Sequence, residues 1–244
     1  MSKIKDQSEC NSCAFFAAAG MLESMIAIQK NIPIEKIDIS EQELEECGSQ
    51  EGRETCNRGS NTAGIVNRII DLGGQKPTGA KLYSEKSYPW EMKQNMEHIG
   101  NCEYFDKPEK SVIANVKGTY ARGKWSVRTL TDRTEKGLMA AVSEIGPVAV
   151  SMVWPKELRV ESDESYDECE PDSPGGLGHA VVVIGYGTDD KGDYWLIKNS
   201  WGETWPEPYD SAYISPEDKG FGKMSRRVGM ACQITREAIT ADIA

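Results

Sequence analysis

The chain has 244 residues, with 39 acidic side chains against 28 basic ones and a net charge of −11 at pH 7. That balance argues against nucleic acid and anionic membrane as partners, since both want basic patches, and no run of about 18 apolar residues is there to span a bilayer. A hydrophobic content of 39% with six Trp and nine Tyr supports a packed core, in one large domain or two compact lobes.

In chain order, residues 13–30 (CAFFAAAGMLESMIAIQK) space apolar side chains at Phe15, Ala18, Ala19, Leu22, Met25 and Ile26, which predicts a largely buried helix. Ser40-Glu41-Gln42-Glu43 reads as a capping box opening a second, short helix. Residues 61–72 predict a third, stopped by Gly73-Gly74, and residues 134–145 a fourth, stopped by Gly146-Pro147. Val148–Val153, His179–Tyr186 and Tyr194–Lys198 then read as strands, with residues 189–193 (DDKGD) as a hairpin loop. A helical first half and a strand-rich second half predict an α+β protein of two lobes, 1–110 and 111–244, with the C-terminal residues able to cross back.

Seven cysteines stand at 10, 13, 47, 56, 102, 169 and 232, an odd number that leaves one thiol over if the rest pair. His98 and His179 are the two histidines, so any imidazole chemistry uses one of them. The Cys10-x-x-Cys13 pair allows three readings. A zinc site needs four ligands in compatible pairs, and no second CxxC or HxxxH is present. A redox dithiol wants a preceding strand, and the residues ahead of Cys10 are mostly polar. In the third reading Cys13 is a nucleophile whose thiolate the helix N-terminus favours. It then needs a base, an orienter for that base, and oxyanion donors. Gln7 can supply an amide N–H beside the Cys13 backbone. His179 at the start of one strand and Asn199 at the end of another become neighbours if the two strands form a hairpin, with Trp201 as a shield.

Here a resemblance becomes plain. Gln7, Cys10-Asn11-Ser12-Cys13 and Phe16 resemble the QGxCGSCWAFS segment of papain-family cysteine proteases. Ile39–Leu44 with Cys47, Cys56-Asn57-Arg58-Gly59, Tyr83–Pro89, Gly146–Val150, His179-Ala180-Val181 and Asn199-Ser200-Trp201-Gly202 are similar to further family motifs and follow in family order. The resemblance implies the two-lobed papain-like fold, with a helical left lobe, a β-barrel-like right lobe and a cleft between. It implies Cys13 as nucleophile, His179 as base, Asn199 as its orienter and Gln7 as oxyanion donor. It implies disulfides Cys10–Cys56, Cys47–Cys102 and Cys169–Cys232. Gly59, with Arg58 and Trp201, would meet substrate, and Glu237 would floor the pocket for the substrate's second residue, admitting basic or apolar side chains.

No cofactor or metal is implied. The expected partners are polypeptide substrates and an inhibitory propeptide or cystatin-type inhibitor. The expected state is a monomer, lysosomal, vacuolar or secreted, although MSKIKDQ leaves no room for a signal peptide. A peptide-binding homologue without activity and a peptide ligase are the rival readings.

Several positions depart from the family pattern. Ala14 replaces the aromatic after the nucleophile, Ser8 the glycine after Gln7, and Arg58 the first glycine of CNGG. Lys117–Thr131 and Pro206–Glu217 read as insertions. His98 reads as a surface residue, Trp195, Trp201 and Trp205 as core or shielding aromatics, Glu161–Glu170 as a solvated loop, and Glu45-Glu46 and Asp189-Asp190 as solvated turns.

Overall fold

The structure is a computed structural model that describes residues 1–48, 59–74, 125–154, 177–205 and 219–243. Expectations for Arg58, His98, Cys56, Cys102, Cys169, the acidic run 161–170 and the segment 206–217 lie outside those residues.

The chain divides into two compact units. The first comprises Met1–Lys3, Gln7–Arg128 and Ala241–Ala244, the second Ile4–Asp6 and Thr129–Thr240. This division falls at Arg128, inside a strand, and short segments from both ends of the chain belong to the opposite unit from their neighbours. Composition could not reveal that, because membership of a unit is set by contacts made in three dimensions.

In the first unit, helix α1 (Cys13–Lys30) is the scaffold. Its Ala-rich first half is fully covered, and it ends where Asn31 turns left-handed and its N–H donates to the Ala27 carbonyl. By length and apolarity α1 could cross a membrane, which corrects the expectation that no such segment exists. With 72% of it buried in the protein, it is packed as a core helix. Glu23, within α1 and buried, accepts the Ile39 N–H at 2.7 Å. Ser40 Oγ accepts the Glu43 N–H at 3.1 Å and starts α2 (Glu41–Gly48), as the capping box predicts. Helix α3 (Thr62–Gly74) is capped by Asn61, whose Oδ1 accepts from Gly64 N–H at 2.7 Å, and it runs through the glycine pair expected to stop it. These three helices pack on one another. That packing corrects the reading of Glu45 as a solvated residue: Glu41, Gln42, Glu43 and Glu45 are all buried where α2 packs with α1 and α3.

The sheet has the order β1-β6-β2-β3-β4-β5 among the described residues. Its strands are β1 (Trp125–Thr129), β2 (Val148–Trp154), β3 (Leu177–Asp189), β4 (Gly192–Lys198), β5 (Phe221–Ser225) and β6 (Glu237–Ile243). Strand β1 occupies part of the stretch expected to be an insertion. Helix α4 (Glu135–Glu144), capped by Thr134 Oγ1 on the Gly137 N–H, lays Leu138 and Ala141 on one face of the sheet. There they meet Val150, Met152, Val181 and Trp195. Helix α5 (Arg226–Ala231) follows β5. Antiparallel pairing of β2 with β3 sets Met152 opposite His179, and pairing with β6 sets Ser151 opposite Glu237. The hairpin β3–β4 exists as expected, with a register shift between Val183 and Gly185.

Candidate active site

The first unit carries a thiol group of residues. Cys13 is the first residue of α1, half-buried, and keeps its thiol, whereas Cys10 and Cys232 are disulfide-bonded. The Ser12 carbonyl accepts from Phe15 N–H at 2.8 Å, so the helix starts directly at the sulfur-bearing residue. The opening N–H groups of such a helix have no intrahelical acceptor, which leaves a positive terminus beside the thiol. Gln7 is buried, and its Nε2 donates to the Cys10 carbonyl at 2.7 Å, using one of the amide's two N–H groups. Ser8 follows with φ 54°, a left-handed backbone at the position where the resemblance expects glycine. Gly59 has φ 68°, and a Cβ there would lie 3.6 Å from the Asn11 carbonyl oxygen, so this glycine sits beside the loop leading into Cys13. Ala14 is fully buried on α1.

The second unit carries an imidazole group of residues. His179 stands on β3, buried, with its Nε2 2.8 Å from Asn199 Oδ1. The Ser200 backbone N–H donates to the same Oδ1 at 2.8 Å. A backbone N–H can only donate, so the atom it meets is the amide oxygen, and His179 Nε2 must carry the proton that completes the second bond. In the neutral ring the lone pair is therefore on Nδ1. Burial pushes the His179 pKa from 6.5 down to about 4, and the bond to Asn199 opposes that shift only in part.

Local backbone structure holds this pair. Asn199 lies just past the end of β4, and its own N–H donates to Gly220 O at 3.1 Å. Trp201 bridges to Asp6, and the Gly202 N–H donates to Lys5 O at 3.1 Å. Gly220, at φ 78°, donates its N–H to Trp205 O at 2.6 Å, which ties together the two ends of the expected 206–217 insertion. The Trp201 ring stacks on His179 at 4.6 Å between centroids and 27° between planes. Trp154, at the end of β2, meets His179 at 4.8 Å and 79°. Trp205 joins the cluster as a shielding aromatic, and Trp195 is a core residue, as both were read.

Of the residues expected to form the site, Cys13, Gln7 and Gly59 are thus placed together in the first unit, and His179, Asn199 and Trp201 in the second. Glu237 begins β6 opposite Ser151, whose other neighbour is Ala180 on β3, so a single row across the sheet joins Glu237, Ser151 and Ala180 beside His179. Trp154 was missed. Its signal was the strand alternation, which puts residue 154 in phase with Val150 and Met152.

A half-buried thiol at a helix start and a desolvated imidazole locked by an amide are the components of a thiol-dependent acyl-transfer enzyme. The family model for papain family cysteine proteases matches residues 1–241, and the chain belongs to that family. Among curated proteins it is 33% identical to digestive cysteine proteinase 3 of Homarus americanus, over 97% of this chain and 62% of the relative. It is 34% identical to procathepsin L of Rattus norvegicus, over 84% of this chain and 54% of that protein. The chain thus spans about half to three-fifths of these relatives. The solved digestive procathepsin L 3 of Tenebrio molitor larval midgut matches with a TM-score of 0.66 at 26% identity, covering 99% of this chain and 66% of that one. Bromelain from Ananas comosus, in complex with the E64 inhibitor, matches in fold with a TM-score of 0.65 at 22% identity, covering 100% and 94%.

Proposed function

We propose that the chain is a cysteine endopeptidase that cleaves polypeptides through an acyl-enzyme on Cys13. The observation that carries the reading is the locked tautomer of His179, because Nε2–H donation to Asn199 reserves the Nδ1 lone pair for the thiol proton. In the reaction, Nδ1 takes the proton from the Cys13 sulfur, giving a thiolate and an imidazolium. The thiolate attacks the scissile carbonyl, and the developing oxyanion accepts from the Gln7 amide and the Cys13 backbone N–H. Collapse expels the amine, which takes the proton from His179 and leaves a thioester. His179 then draws a proton from water, hydroxide adds to the thioester, and the carboxylic acid product departs as the thiol re-forms.

Gly59 would bind the substrate backbone, aided by Arg58 and Trp201. Glu237 would stand at the pocket for the substrate's second residue and favour basic or apolar side chains, a reading supported by its place in the row with Ser151 and Ala180. The pairings Cys10–Cys56, Cys47–Cys102 and Cys169–Cys232 fit a lysosomal, vacuolar or secreted enzyme. An inhibitory propeptide or a cystatin-type inhibitor would be its partner, with the chain acting as a monomer.

The test is alkylation by an epoxide inhibitor at mildly acidic pH, read by mass. One equivalent on the wild type and none on Cys13→Ser is expected. Absent labelling, or equal labelling of the variant, rejects the protease reading. Adding an amine acceptor to the peptide assay tells hydrolysis from ligation by the product formed.

A further inference from the structure

We infer that Trp154 is a positioning residue for the His179 base, a role that rests on the protease reading above. The Asn199 bond fixes one atom of the imidazole and leaves the ring able to pivot about it. Stacking on Trp201 resists tilting, but two stacked rings slide past each other at little cost. Something must block that slide. The three ring centroids form a nearly equilateral triangle with sides of 4.6, 4.8 and 5.2 Å. Trp154 stands at 79° to His179 and 77° to Trp201, so it abuts the stack from the side, where it stops lateral motion of both rings.

The sheet holds Trp154 in place for this. It is paired across from Leu177, on the strand that carries His179, and is the diagonal neighbour of His179, within aromatic reach. It is nearly buried and leans on Trp205 at 6.4 Å. As a plain core residue it would need only bulk. As a positioning residue it needs a flat ring at a right angle to the imidazole.

The test compares Trp154→Leu with Trp154→Phe in peptide hydrolysis, after wild-type labelling at Cys13 has established the protease reading. Loss of positioning predicts that Trp154→Leu lowers kcat by about ten- to a hundredfold, with KM changed less than about threefold. Trp154→Phe, which keeps a ring, is expected to recover most of the loss. Equal kcat for wild type and Trp154→Leu, or equal losses in the two variants, overturns the inference. A second measurement does not depend on either variant folding. In Cys13→Ser, magnetisation transfer between the His179 and Trp154 ring protons is expected, and with two histidines in the chain the imidazole signals are readily assigned. Its absence also overturns the inference. A wild type that fails to label at Cys13 would reject the protease reading instead, while the ring contact in Cys13→Ser would still report on Trp154.

Discussion

A single amide oxygen sets the chemistry of the imidazole. Asn199 Oδ1 receives both the Ser200 N–H and His179 Nε2–H, while its Nδ2 has no partner among the described residues. The side chain therefore acts as an acceptor, and the direction of the effect follows. Asn199→Ala frees the tautomer and should lower kcat by the order of a hundredfold. Asn199→Asp keeps the acceptor and should retain the Nε2 proton resonance in NMR spectra, which Asn199→Ala loses. Ser8 makes a different point about residues. Its φ of 54° costs a side-chain-bearing residue about 1 kcal/mol that glycine does not incur. Ser8→Gly should raise Tm by about 2 °C in scanning calorimetry, since 1 kcal/mol shifts a chain of this size by about 2–4 °C and the added unfolded-state entropy removes part of the gain. An unchanged or lower Tm would mean that the left-handed turn is not strained.

At the scale of elements, what the sequence disclosed follows from where each element gets its stability. Helix α1 was legible because its apolar spacing and Ala content are local properties, α2 because its capping box lies in the sequence, and α4 because Gly146-Pro147 stops it. Strands β3 and β4 were legible as long β-branched or aromatic runs bounded by turn residues. Strands β1, β5 and β6 were not read. Phe221–Ser225 contains Gly222, needed because a Cβ there would lie 2.6 Å from Trp205, and such a strand takes its form from its neighbours. Glu45 was misjudged for the same reason, since burial of a carboxylate on α2 is decided by the helices against it. The residues proposed for catalysis, by contrast, stand in short, contiguous motifs that a sequence displays directly, while Trp154 contributes one residue to the cluster and belongs to no motif. The capping reading is testable in both units. Ser40→Ala and Thr134→Ala each remove an oxygen that accepts a helix N–H, and each should cost about 1 kcal/mol in urea unfolding. A cost near zero would remove the cap from the account of that helix.

Over the whole molecule, burial of His179 ties stability to pH. Its pKa falls from 6.5 to about 4 in the folded state, so between those values the unfolded chain binds more protons than the folded one. Stability is then complete above pH 6.5 and declines as pH falls toward 4, by about 3 kcal/mol at most on this account. Asp132, Asp189 and Asp193 act in the same direction at lower pH, since hydrogen bonds from Thr134, Lys223 and Thr188 hold their carboxyls below the usual range. The proposed enzyme must nevertheless charge His179, and a thiolate at Cys13 is the group that would make this favourable. Cys13→Ser removes the thiolate, so its urea-unfolding free energy should decline across pH 6.5 to 4 as the neutral, buried imidazole requires. Wild type should decline less over the same window, because the ion pair proposed for the reaction would stabilise the folded, charged ring. Cys13→Ser/His179→Gln should be nearly flat until the carboxylates titrate. Identical profiles for wild type and Cys13→Ser would show that no thiolate–imidazolium pair forms, and the acyl-transfer mechanism would have to begin from a neutral thiol.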